Sequence, residues 1–225
     1  MNSKTTPRWL LLLLLSIAWL LTLSSCRRAD DPKRLERDRR ARLKEMTQEH
    51  LREIQAVPDN YVAYSNLGVV YAELDDLPAA VRAFQNALAI APDYADAYNN
   101  LGAAYSRQGE SLLAKENFER AAQLKPDYID AWFNLGVVCQ QLELHEEAAS
   151  AFEKVVEIHP QDADAIFNLA MARLKLGDKD SAWEQFEVLQ RIEPRLASHL
   201  FANLATAAVG PSPGSTPFDL LPGVE

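Results

Sequence analysis

Apolar and small residues return along this chain at helical spacing. Tyr64, Leu67, Gly68 and Tyr71 stand at i, i+3, i+4 and i+7, one stripe of a helix. A polar break at Asp75 and Asp76 follows. Ala80, Phe84, Ala87 and Leu88 then mark the stripe of a second helix. The pair recurs every 34 residues without insertion, and Pro58, Pro92, Pro126, Pro160 and Pro194 keep the same period. Tyr98, Trp132 and Ile166 take the place of Tyr64. Leu101-Gly102, Leu135-Gly136 and Leu169-Ala170 take that of Leu67-Gly68, and Tyr105, Cys139 and Arg173 that of Tyr71. Ala114, Ala148 and Ala182 follow, each with Phe118, Phe152 or Phe186 four residues on.

The exceptions to good helix composition are periodic too. Glycine inside a helix costs about 1 kcal/mol against alanine. Gly68, Gly102 and Gly136 therefore predict a close approach by a neighbouring helix. Gly109 and Gly177 fall between paired helices, where a left-handed residue ends a helix at low cost. Asp75-Asp76 and Glu143 occupy the equivalent turns. Asp96, Asp130 and Asp164 lie in first turns, where a carboxylate favours the helix dipole.

The W-x2-L-G-x2-Y, A-x3-F and closing Pro offsets resemble the tetratricopeptide repeat. That resemblance implies an all-α solenoid of four helix-turn-helix repeats, residues 61–94, 95–128, 129–162 and 163–196, with flanking helices. One repeat cannot bury its stripe alone, so stacked repeats share a core and need covered ends. The apolar run over 195–209, with Leu196, Leu200, Leu204 and Ala208 on one side, predicts a capping helix, assigned to 197–209. Residues 210–225 hold four prolines and are expected to be a flexible tail, with an apolar island at Phe218-Asp219-Leu220-Leu221.

Ahead of the repeats, Lys4 and Arg8 precede fifteen mostly leucine residues, 9–23. A core shorter than the roughly 20 residues of a membrane span is similar to a secretory signal. It ends Leu23-Ser24-Ser25-Cys26, which resembles the bacterial lipobox. The resemblance implies that residues 1–25 are removed and that Cys26 carries lipid on sulfur. The residue after Cys26 is not Asp, which by the same resemblance points to the outer membrane, facing the periplasm. The alternative is an uncleaved inner-membrane anchor with cytoplasmic repeats. Nine Lys/Arg against four acids over residues 27–44 argue for it, since positive charge resists translocation. Residues 26–58 are then a linker, with Leu35, Arg39, Arg42, Leu43, Met46, His50 and Ile54 suggesting a long, mainly solvated helix whose end packs as a partial repeat.

Charge divides the chain. Residues 27–58 carry net +3, whereas everything from residue 59 on holds 11 basic and 25 acidic residues, net −14. Nucleic acid is a poor ligand for such a surface, and a neutral or basic partner is favoured. Cys139 replaces a repeat tyrosine and is expected to be a buried free thiol. His50, His145, His159 and His199 lack ligand spacing. No phosphate loop, nucleophile elbow or zinc-protease helix occurs, so neither enzyme activity, cofactor, metal nor small-molecule substrate is expected.

A protein or peptide partner is the remaining expectation. An asparagine precedes each repeat leucine or its equivalent: Asn66, Asn100, Asn134 and Asn168. In the family this residue lines the inner groove and can bond a peptide backbone; an amide offers donor and acceptor together. The residue before it runs Ser65, Asn99, Phe133, Phe167, so the groove is expected to turn apolar toward the C-terminus. Phe133, Val137, Phe167 and Met171 are either a partner-binding patch or core. The resemblance extends to membrane-tethered adaptors of envelope, pilus or secretion assembly.

Overall fold

The computed structural model describes residues 32–208, with side chains to Thr206. The proposed signal, Cys26 and the tail 210–225 lie outside the described residues. Two compact units divide at Glu49 and His50. Helix α1, Pro32–Ala56, begins in the first and ends in the second. Its basic positions are exposed, while Leu43 and Thr47 are buried. Leu35 and Met46 are 55% and 42% exposed. No helix among the described residues is long and apolar enough to cross a membrane.

The second unit is a stack of helix pairs. Its helices are α2 (Tyr61–Glu73), α3 (Leu77–Ile90), α4 (Ala95–Gln108), α5 (Ser111–Leu124), α6 (Ile129–Gln141), α7 (His145–Ile158), α8 (Ala163–Lys175), α9 (Lys179–Ile192) and α10 (Pro194–Ala208). Each packs on the next in sequence. The first helices of adjacent repeats also touch, α2 with α4 and α4 with α6, which puts them on the inner, shorter-radius side. α10 closes the stack by burying Ala197, Leu200 and Leu204 against Ile166, Ala182 and Leu189.

One contact explains both repeat glycines and repeat phenylalanines. A Cβ at Gly68 would stand 2.5 Å from the Phe84 ring, one at Gly102 2.8 Å from Phe118, and one at Gly136 2.6 Å from Phe152. Each ring fills the space a side chain would take, and all three are buried. Phe84 then packs on Leu101 and Ala104 of the next repeat. The fourth repeat has Ala170 instead of glycine, and its Phe186 is only half-buried, edge-on to Trp183.

The turns inside the repeats use left-handed residues four times: Gly109 and Gly177 at φ 81°, Asp75 at 66° and Glu143 at 60°. Asp75 is held there by Arg107 of the next repeat, which donates to its carboxylate and to Ala72 O at 2.8 Å each. Helix starts are capped by Asn60, Asp76, Asp162 and Asp178, each accepting from the amide three residues on. For Glu143 a left-handed backbone costs about 1–2 kcal/mol. Glu143→Gly relieves that cost but loosens the unfolded chain. A net gain of up to about 1 kcal/mol is expected, read as a melting point higher by about 2–4 °C. A lower melting point would show that Glu143 holds the turn by a side-chain contact.

Candidate functional site

The inner side of α6 presents Phe133, Asn134 and Val137. At 3.6 residues per turn these lie about 170° from Trp132, Leu135 and Cys139, which face the second helices. The same offsets place Asn66 and Val69 on α2, Asn100 and Ala103 on α4, and Phe167, Asn168 and Met171 on α8.

The N-terminal half of this face has a polar floor. Ser65 and Asn99 are 3% and 7% exposed. The Tyr94 hydroxyl reaches back to Ser65, and that of Tyr128 to Asp96 and Asn99. Burial, then the Asp96 carboxylate, pushes the Tyr128 hydroxyl up to about 12, so it stays a neutral donor at physiological pH. Asn134 Nδ2 donates to Asn99 Oδ1 at 3.1 Å. This amide pair ties α4 to α6, so Asn99 belongs to the floor of the groove rather than to its open surface. Asn168 Nδ2 donates to Asp164 O of its own helix at 2.8 Å, and Gln140 Nε2 to Asn168 O at 3.3 Å.

Two asparagines remain open. Asn66 is exposed and Asn100 half-buried, and neither side chain has a hydrogen bond among the described residues. Beside them Val62 and Val69 are 41% and 38% exposed. Val62, not singled out in the sequence, sits one turn before Asn66 on the same face, a position the repeat offsets could have supplied.

Toward the C-terminus the face becomes apolar and sinks. Phe133 is half-buried and meets the Phe152 ring edge-on at 5.6 Å. Val137 packs with it on the central core. Phe167 and Met171 are half-buried against the C-terminal core. All four are half-buried, each with part of its surface against the core. No group of three or more His, Cys, Asp or Glu among the described residues could hold a metal ion.

Comparison with known proteins places this geometry. Tetratricopeptide-repeat family models match residues 59–127, 99–163 and 143–204. No curated protein matches significantly. Among solved structures, MamA is 24% identical with a TM-score of 0.64, covering 75% of this chain and 98% of that one. YrrB, described as a TPR protein with an unusual peptide-binding site, is 24% identical with a TM-score of 0.66, covering 70% and 81%. At that identity the likeness concerns the fold. With the matched models together spanning residues 59–204, and a phenylalanine seated on glycine in three successive helix pairs, the chain belongs to the tetratricopeptide-repeat proteins.

Proposed function

We propose that the repeats are a membrane-tethered scaffold whose inner face holds a segment of another protein. One observation carries this reading: Asn66 and Asn100 leave their amides open beside the exposed Val62 and Val69. An amide can pair with the backbone of an extended segment or helix end, while the valines and the outer edges of Phe133 and Phe167 bury its apolar side chains. The peptide-binding site described for YrrB supports the view that such an architecture can receive a peptide. The tether is lipid on Cys26, and envelope, pilus or secretion assembly is the setting, with the repeats in the periplasm. An uncleaved anchor with cytoplasmic repeats is the second reading, favoured by the nine Lys/Arg of residues 27–44.

A photo-crosslinking residue at Val69 in intact cells should trap a discrete partner, whereas one at Leu112 on α5, 67% exposed, should not. Val69→Glu with Asn100→Ala should weaken capture at least about tenfold, in line with 1–4 kcal/mol from a few interface anchors. The melting temperature should hold, because both sites are open. Equal trapping from both positions, or undiminished capture by the folded variant, would rule the inner face out.

A further inference from the structure

One position of each first helix, Tyr71, Tyr105, Cys139 or Arg173, recurs with the repeat, and in two of them its side chain reaches the preceding second helix. In the second repeat the Tyr105 hydroxyl accepts from Gln85 Nε2 of α3 at 3.1 Å. In the fourth, the Arg173 guanidinium pairs with Glu153 of α7. In the third, the buried Cys139 Sγ stands 3.9 Å from Glu147 Oε2 of α7, and a cavity of about 410 Å³ lies beside it between α5 and α7. Trp132, Leu135, Cys139 and Ala151 line it with apolar surface, and Lys115, Glu119, Glu146 and Glu147 surround it. The Trp132 indole is fixed by donating Nε1–H to Pro126 O at 2.9 Å.

Glu119 stands one repeat before Glu153, as Cys139 stands one repeat before Arg173. The junction of the second and third repeats thus keeps, in Glu119, the carboxylate position that receives Arg173 at the next junction, and lacks the arginine. We propose that this outer cavity receives an arginine side chain of a protein partner. Its stem would lie on Trp132 and Leu135, and its guanidinium would meet Glu119 and Glu147. Three carboxylates face one ammonium around the cavity, and the repeats as a whole are acidic, so the charge fits a cation. The Cys139 thiol stays neutral, pushed up to about 11 by burial and then by the Glu147 carboxylate.

Lys115 now bridges Glu119 and Glu147 at 2.8 Å each. It is a point charge on a flexible stem, whereas a guanidinium binds a carboxylate with two parallel hydrogen bonds. Lys115 can therefore give way to solvent. The site is on the side of α6 opposite the inner groove, so it stands or falls independently of the reading above.

The test uses the full chain in detergent micelles, labelled with nitrogen-15, and follows the Trp132 indole N–H signal. Nα-acetyl-arginine methylamide is the probe, with its citrulline and norleucine counterparts as neutral controls. A saturable shift is expected for the arginine compound alone. Lys115→Gln should tighten it several-fold, and Glu119→Gln with Glu147→Gln should weaken it at least about tenfold. Cys139→Arg should fold, abolish the shift and melt no lower than wild type, since it recreates the Arg173–Glu153 pair one repeat earlier. Equal shifts from arginine and citrulline, no shift at all, or unchanged binding in the glutamine variant would each overturn the assignment.

Discussion

Gly136→Ala is expected to destabilise the repeats by about 1–3 kcal/mol, although alanine is the better helix former by about 1 kcal/mol. Its Cβ would fall 2.6 Å from two atoms of the Phe152 ring, which is fully buried and has no room to withdraw. At Gly102 the Phe118 ring stands slightly farther, at 2.8 Å, but backbone joins it, the Ala114 carbonyl oxygen at 3.1 Å. Emptying the ring position is costly by another route: Phe152→Ala should lose about 3–5 kcal/mol through transfer and cavity terms. The two sites share one volume, so their effects must not add. Gly136→Ala combined with Phe152→Leu should lose less than the sum of the single variants, because the new methyl occupies space the ring has left. Urea unfolding of the four proteins measures this. Gly109→Ala is the control: its φ is 81° and nothing lies within 4 Å, so its loss comes from backbone strain and should be indifferent to Phe152. Additive losses at Gly136 and Phe152 would mean that the ring does not explain the glycine.

The reason such a contact could be anticipated is its periodicity. Three glycines inside helices, each matched to a phenylalanine sixteen residues later, declare a close approach in the sequence itself. The left-handed turns at Asp75 and Glu143 were equally visible, as the positions where two other repeats have Gly109 and Gly177. Helix spacing, however, reports the angle of a side chain around its own axis and not the depth to which it sinks. Depth depends on residues a full repeat away. Asn99 shares its helical angle with Phe133, yet it is buried because Tyr128 and Asn134 close over it. Phe133 itself was ambiguous for the same reason, and the Phe152 edge contact makes it partly structural. Phe133→Ala therefore cannot serve as a clean test of partner binding, whereas the open Val69 can. The cavity at Cys139 was also out of reach: a cysteine in a tyrosine position predicts burial, but not how far α5 and α7 close over the space beside it.

Cys26→Ser is expected to abolish lipid attachment outright if the lipoprotein reading holds. Serine differs from cysteine by one atom, and the thioether that carries the diacylglyceryl group cannot form on oxygen. The consequence is large because anchoring is nonlinear in chain number. Each buried CH2 contributes about 0.8 kcal/mol, one acyl chain gives only marginal and reversible binding, and two give a stable anchor. The basic stretch 27–44 adds attraction to anionic head groups but cannot replace two chains. Clickable fatty acid fed to cells should therefore label the wild type and not Cys26→Ser, and the mature wild-type mass should begin at Cys26. The anchor reading makes the opposite forecast, since residues 1–25 would stay in the chain and hold it in the membrane whatever stands at 26. A full-length, unlabelled, membrane-bound Cys26→Ser protein whose repeats stay protected from protease in spheroplasts would establish that reading, and would move the groove and its partner to the cytoplasmic side.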